Sequence, residues 1–204
     1  LAFAALGQAC LVKRPFNLFH RRNLYFRLNK SIERSFHNDT TWNKSFEEHF
    51  KKFVSEYNSL VFTNWRCNDA YNFDVFDLDF VDADMVYLDP PYIPLNGEIP
   101  DYHLYYHFLE GLVNYDKWRQ MINPNSDIKA ISYPESPWTD KSKVHVAFNR
   151  LLRVFRYAKF IVVSYRSDGV PSLEEIYDML KTYKEHVELK RKWFQYVLSK
   201  RQTE

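Results

Sequence analysis

Met85-Val86-Tyr87-Leu88-Asp89-Pro90-Pro91-Tyr92 is the stretch on which the reading of this chain turns. Met85 to Leu88 run without polar alternation, the pattern of a short strand covered on both faces. Two prolines then stop it, because neither can donate to a sheet ladder and each pushes the residue before it towards extended backbone. The expected product is a stiff, outward-pointing tip at the carboxyl end of a strand. In open α/β sheets that end is where ligands bind.

The tip carries a definite chemistry. Asp89 offers carboxylate lone pairs, and Pro90 contributes a backbone carbonyl with no amide hydrogen of its own beside it. Two acceptors on one rigid edge suit a planar NH2 group. Tyr92 adds a flat ring on which an extruded base can stack. The lone pair of an exocyclic amine is delocalised into its ring. Accepting both amine hydrogens favours pyramidal nitrogen and stabilises the positive charge that develops when the nitrogen attacks.

Asp89-Pro90-Pro91-Tyr92 resembles the catalytic motif of amino-methylating DNA methyltransferases, and its aspartate form resembles the adenine-N6 branch. Three further segments look like parts of bacterial adenine-specific methylases of the restriction-modification type: Arg14 to Leu24, Tyr106 to Leu112 and Val163 to Gly169. The resemblance implies S-adenosylmethionine as cofactor and double-stranded DNA as substrate, with a cognate restriction endonuclease as a partner in the same system. It casts Asp89, Pro90, Pro91 and Tyr92 as the catalytic group. Asp89, with Asn72 and Asp74, would border the cofactor, although the match at Asn72 and Asp74 is loose and an ordinary surface loop explains them equally well. Relatives acting on cytosine N4 or on a glutamine side chain usually carry Ser or Asn before Pro-Pro-Tyr, so Asp89 weighs against those substrates. A DNA-binding fragment without chemistry is the alternative from another class.

Charge is distributed unevenly along the chain. The formal net charge is only +2. Yet Lys13 to Arg34 holds seven Lys or Arg against Glu33 alone, and Asp69 to Asp89 holds seven Asp with no base. A basic end suits phosphate contacts and an acidic pocket suits a cationic cofactor, while two solvated faces that pair with each other are the bland explanation. In the basic stretch Arg14, Asn17, Arg21, Arg22 and Asn23 are candidates for DNA contact, since arginine matches guanine edges, asparagine matches adenine edges, and both bind phosphate. The interleaved Phe16, Phe19, Tyr25 and Phe26 read as a small core beneath them.

Composition bounds the rest. A 204-residue chain with 46% hydrophobic and 18% aromatic residues can bury a sizeable core and is not disordered. Cys10 and Cys67 form neither a metal spacing nor a disulfide framework, and no run approaches membrane length, so a soluble, cytoplasmic protein without a structural metal is expected. Only four glycines occur, at 7, 97, 111 and 169, too far apart for a glycine-rich nucleotide loop. With Leu at position 1, this predicts that a first strand and cofactor loop lie upstream.

The element pattern predicts a helix tail over Leu1–Leu11 and a capped helix over Ser45–Val61, opened by Ser45 and Glu48 and facing the core through Phe46, Phe50, Phe53, Val54, Tyr57, Leu60 and Val61. A strand and acidic loop are expected over Ala70–Phe80, a loop or lid over Ile93–Asp101, and one helix over Tyr102–Ile122. There His107 and Glu110 share a face, as a catalytic or metal pair or, since two ligands alone make no site, in a structural hydrogen-bonding role. An amphipathic helix follows over Asp140–Tyr157. Next come a second buried strand over Phe160–Tyr165, parallel to the first, a helix opened by Ser172 and Glu175, and one or two strands over His186–Ser199. The predicted fold class is α/β: a partial Rossmann-like methyltransferase sheet with helices on both faces, plus a helical, basic DNA-recognition region. The boundary falls near residue 63, with target recognition in 1–63 and the carboxyl part of the catalytic domain in 64–204.

Overall fold

The computed structural model describes residues 1–14, 19, 43–78 and 81–193. The elements in order are α1 (Ala2–Val12), α2 (Phe46–Ser59), β1 (Met85–Leu88), α3 (Tyr102–Val113), α4 (Trp118–Met121), α5 (Val144–Val154), β2 (Phe160–Val163) and α6 (Leu173–Lys181), with short 3-10 turns at Val75–Asp77 and Pro137–Thr139. This is a mixed α/β chain with a small parallel sheet and several helices. Its contacts divide it into two units, one made of 1–68 with 102–133 and the other of 69–101 with 134–204. Residues 102–133 therefore group with the amino-terminal helices, although they follow β1 in the chain.

The first unit is helical. In α1 the buried residues are Ala5, Gly7 and Ala9; the helix packs against α2, and Gly7 lies against Leu109 of the later helix Tyr102–Val113. Helix α2 starts where its capping box dictates: the Ser45 hydroxyl accepts from Glu48 N at 3.1 Å and Glu48 Oε2 accepts from Ser45 N at 2.7 Å. Its apolar stripe is less buried than the periodicity predicts. His49 is the buried member, Phe50, Phe53, Val54 and Tyr57 are half-buried, and Phe46, Leu60 and Val61 are exposed. The helix ends at Ser59, so Leu60 and Val61 lie beyond the turn that would have carried them inward.

The single predicted helix over Tyr102–Ile122 is two. Helix α3 bends at Tyr106 (φ −120°, ψ 16°), and turns separate it from the one-turn helix α4. Gly111 explains the tight packing between them, because a Cβ there would lie 2.1 Å from the Trp118 indole. Phe19 stacks on Phe108 with centroids 4.9 Å apart, and its backbone N–H donates to Tyr105 O at 3.0 Å.

The second unit is built on the strand pair. Strands β1 and β2 run parallel with Met85 opposite Phe160, Val86 opposite Ile161, Tyr87 opposite Val162 and Leu88 opposite Val163. Successive strand residues point to opposite faces, so this register puts Val86, Leu88, Ile161 and Val163 on one face and Met85, Tyr87, Phe160 and Val162 on the other. The first face packs beneath α5 and α6, against Leu151, Leu152, Phe155, Met179 and Leu180. A second cluster joins Ile93, Val144, Phe148 and Ile176. Fully burying a side chain of this size stabilises by about 1.5–3 kcal/mol, and Phe148, Ile93, Leu152 and Val144 are all fully buried.

Several expectations are corrected here. Among the described residues the two strands are covered on one face only: Met85 and Tyr87 are exposed by 61% and 62%, and Phe160 and Val162 are exposed as well. Unbroken apolar character concealed the alternation that the parallel register imposes. No strand forms in the described part of Ala70–Phe80. Instead the Asp74 carboxylate caps the 3-10 turn by accepting from Phe76 N at 2.9 Å, which turns the chain away from an extended path. No strand forms over 186–193 either, and the rest of the predicted strand over His186–Ser199 lies outside the described residues. The helix predicted over Asp140–Tyr157 is shorter, at Val144–Val154, but buries the expected Val144, Phe148, Leu151 and Leu152. Helix α6 opens at Ser172 with both bonds of its capping box. No described helix is long and apolar enough to cross a membrane.

Candidate active site

The carboxyl end of β1 carries the candidate chemistry. Leu88 is buried in the core, and one residue later Asp89 is exposed. The backbone is locked on both sides of it: Ser164 N donates to Leu88 O at 2.9 Å, extending the ladder past the end of β2, and the buried Pro90 stiffens the exit. Tyr92 Oη donates to Asp89 Oδ1 at 2.7 Å and lies 2.8 Å from Ser164 Oγ. The four residues of the Asp-Pro-Pro-Tyr turn thus close back on themselves through a phenol-to-carboxylate hydrogen bond.

Beyond Tyr92 the chain is strapped to the loop that follows β2. Ile93 is fully buried. Its N–H donates to Tyr165 Oη at 3.2 Å, its carbonyl accepts from Val170 N at 2.9 Å, and Leu95 N donates to Asp168 O at 2.8 Å. Pro94 and Gly169 form an isolated antiparallel bridge. The first residues of the predicted lid over Ile93–Asp101 are therefore pinned, because a buried isoleucine and a run of backbone bonds hold them. Tyr165 is fixed in turn: its hydroxyl donates to Val170 O at 2.5 Å, and its ring stands perpendicular to Tyr92 (81°, centroids 5.6 Å apart). Burial pushes the Tyr165 phenol above its ordinary pKa, so it remains a neutral donor. A Cβ on Gly169 would approach Tyr165 Cε1 to 2.4 Å, which makes glycine the residue that fits there.

Arg166 grips Asp168 through two parallel bonds, Nε to Oδ1 at 2.5 Å and Nη2 to Oδ2 at 2.7 Å. The hydrogen bond from Arg166 holds the Asp168 carboxyl below its usual range. The loop that straps the tip is thereby itself braced by a bidentate ion pair.

The other candidate residues are distributed unequally. Asp89, Pro90, Pro91 and Tyr92 are together at the strand end. Asn72 and Asp74 lie in the exposed segment before β1, where the Asp74 carboxylate is engaged as a cap. Arg14 is committed to local structure: its Nη2 donates to Phe19 O at 3.3 Å and its guanidinium lies over the Phe19 ring, 5.4 Å from the centroid. Asn17, Arg21, Arg22 and Asn23 lie outside the described residues. His107 is buried edge-on to Phe19, whereas Glu110 is exposed and accepts from Asn114, so the two side chains occupy different surroundings. Among the described residues no group of His, Cys, Asp or Glu is placed to hold a metal ion. Ser164 and Tyr165 fall in the segment Val163 to Gly169 that resembles these methylases, at the end of the strand expected beside Asp89, but the sequence assigns neither a role at the site. The available signal was a polar pair directly following four apolar strand residues.

A small parallel sheet with several helices places the chain among mixed α/β proteins, with an exposed carboxylate at the carboxyl end of its first strand. Within that class the chain belongs to the D12 class N6 adenine-specific DNA methyltransferase family, whose model matches residues 10–124. It is similar to the Type II methyltransferase M2.HphI of Haemophilus parahaemolyticus, with 30% identity over 190 residues that cover 88% of this chain and 50% of that protein. It is also similar to the Type II methyltransferase M.FokI of Planomicrobium okeanokoites, with 34% identity over 121 residues that cover 59% of this chain and 18% of that protein. The chain spans half or less of the length of these curated relatives. No solved structure matches it.

Proposed function

We propose that the protein to which these residues belong transfers a methyl group from S-adenosylmethionine to N6 of an adenine in duplex DNA, after the base has been extruded. The observation that carries this reading is the exposed Asp89 at the end of β1, with the Tyr92 hydroxyl on its carboxylate and the backbone locked on either side. Family membership supports it independently.

Asp89 and the Pro90 carbonyl accept the two N6 hydrogens, and Tyr92 offers its ring to the base. A hydrogen bond to an ionised acceptor contributes about 1.5–3 kcal/mol, and it grows stronger as positive charge develops on the attacking nitrogen. The extra proton leaves the methylated nitrogen after transfer, so no residue need act as a strong base.

The residues present fit a cationic methyl donor. Asp69, Asp74, Asp77, Asp82, Asp84 and Asp89 are all exposed acids on the segment that leads into the tip, and an acidic edge favours a sulfonium. S-adenosylmethionine, when bound there, would supply an electrophilic methyl on a sulfonium whose sulfur becomes a neutral thioether. Asn72 and Asp74 border it in this reading, with Asp89 shared between cofactor and base. We further assign the sheet to a Rossmann-like methyltransferase domain. The basic amino-terminal part, through Asn17, Arg21, Arg22 and Asn23, is assigned to DNA contact, with Arg14 bracing Phe19 beside them, and a cognate endonuclease to the same system.

The test is transfer of a labelled methyl group to plasmid DNA by the full-length protein, followed by digestion to nucleosides. Label in N6-methyladenine is expected. Label in N4-methylcytosine would move the substrate to another amine, and a folded protein that labels no DNA at all would remove the enzymatic reading.

A further inference from the structure

We infer that Ser164 is a positioning residue for methyl transfer, acting through the Tyr92 hydroxyl to free Asp89 for the incoming amine. The inference rests on the reading of the tip given above and extends it to a residue on a different strand.

The geometry poses a specific problem. The Tyr92 hydroxyl has one proton, and in this state it donates to Asp89 Oδ1 at 2.7 Å. That oxygen is one of the acceptors an exocyclic amine needs. Where the amine takes the Oδ1 lone pair that the phenol occupies, the tyrosine proton needs another acceptor, because a half-buried phenol without one costs free energy. Ser164 Oγ stands 2.8 Å from Tyr92 Oη, and either atom of that pair can donate. In the free state the serine can donate to the phenol oxygen while the phenol donates to Asp89. With the amine bound, the phenol rotates its proton onto the serine oxygen, and the serine hydroxyl turns its own proton away. Every proton remains on its own oxygen, and only hydrogen-bond directions change.

The surrounding structure keeps this pair in register. Ser164 N is bonded to Leu88 O, so the serine is held at the level of the Asp89 turn. The next residue, Tyr165, accepts from Ile93 N and donates to Val170 O through its hydroxyl. The consecutive Ser164 and Tyr165 thereby clamp the consecutive Tyr92 and Ile93, side chain to side chain in the first case and side chain to backbone in the second. Tyr165 makes the clamp rigid, and Ser164 supplies the exchangeable hydrogen bond.

The experiment is a double-mutant cycle in the full-length protein, read by single-turnover transfer of labelled methyl to duplex DNA, with cofactor affinity measured separately. Ser164→Ala should slow transfer about five- to tenfold, the worth of one neutral hydrogen bond, and leave cofactor affinity unchanged. Ser164→Thr, which keeps the hydroxyl, should restore most of the rate. In the Tyr92→Phe background Ser164→Ala should have no further effect, because the serine has lost the group through which it acts. Equal losses in both backgrounds, or an unchanged rate for Ser164→Ala beside an active parent, would overturn the inference. If Ser164→Ala does not fold, Ser164→Cys takes its place in the same cycle. An inactive but folded parent would instead point to failure of the proposed methylation.

Discussion

Leu88 and Asp89 are neighbours in the chain and belong to two regions with opposite uses. Leu88 closes the core beneath α5, among Leu151, Leu152 and Phe155, where apolar contact supplies stability and no polar chemistry. Asp89 opens the tip, exposed, where a carboxylate and a phenol are held in place by surrounding backbone bonds. The change takes a single residue because a strand sends successive side chains to opposite faces and the following prolines end the ladder. The comparison teaches that the core and the site can be perturbed separately although they share a strand.

The sharpest way to break that separation is Asp89→Ala. Losing the charged acceptor should reduce methyl transfer by about 10²–10³-fold, the scale seen when one preorganised transition-state hydrogen bond is removed, while the melting temperature stays within error. A melting temperature that falls along with the rate would show that the tip also supports the fold. The converse is Leu152→Ala, a fully buried core residue. Chemical denaturation should show a loss of about 2–5 kcal/mol, with activity retained wherever the variant remains folded.

Smaller effects sharpen the same contrast. Ser172→Ala removes the hydroxyl that accepts from Glu175 N, while the backbone bond from Ser172 N to Glu175 Oε2 can persist, and should cost about 0.5–2 kcal/mol of unfolding free energy. Acid titration probes the strap. Arg166 holds the Asp168 carboxyl below its ordinary value, so the pair's contribution is complete above the unfolded carboxyl pKa of about 3.9 and is lost as pH falls through the lower folded value. Asp168→Asn should therefore flatten stability against pH in that acidic window and leave it unchanged in slope near neutrality. On the uncovered face of the sheet, Tyr87→Thr in residues 1–204 should shift stability by less than about 0.5 kcal/mol, since that side chain is 62% exposed. A larger loss would mean that this face is covered in solution.

Much of the element pattern was legible without coordinates because its signals are local. Both capping boxes appear where Ser45, Glu48, Ser172 and Glu175 announce them, since such a box needs only residues three apart. The apolar spacing of Val144, Phe148, Leu151 and Leu152 marks the buried side of α5, and the strands Met85–Leu88 and Phe160–Val163 pair in parallel as two apolar runs separated by helices suggest. The places where reading along the chain failed are those where distant segments decide. Tyr102–Ile122 has the periodicity of one helix, yet it bends at Tyr106 and breaks before Trp118, whose ring packs onto Gly111. Phe46, Leu60 and Val61 keep helical spacing but remain exposed, because spacing defines a stripe and not what covers it.

Sequence by itself determined the candidate site's chemical make-up: an aspartate, two prolines and a tyrosine at the end of an apolar run, a combination that specifies acceptors, stiffness and an aromatic ring through covalent structure alone. Tertiary structure alone decided that Ser164 and Tyr165, more than seventy residues later, meet Tyr92 and Ile93, and that one face of the strand pair is core while the other is open. The physical reason is range. Backbone restriction, capping and side-chain chemistry act within a few residues, whereas strand register places 85 opposite 160 and so determines which distant hydroxyl reaches the tip.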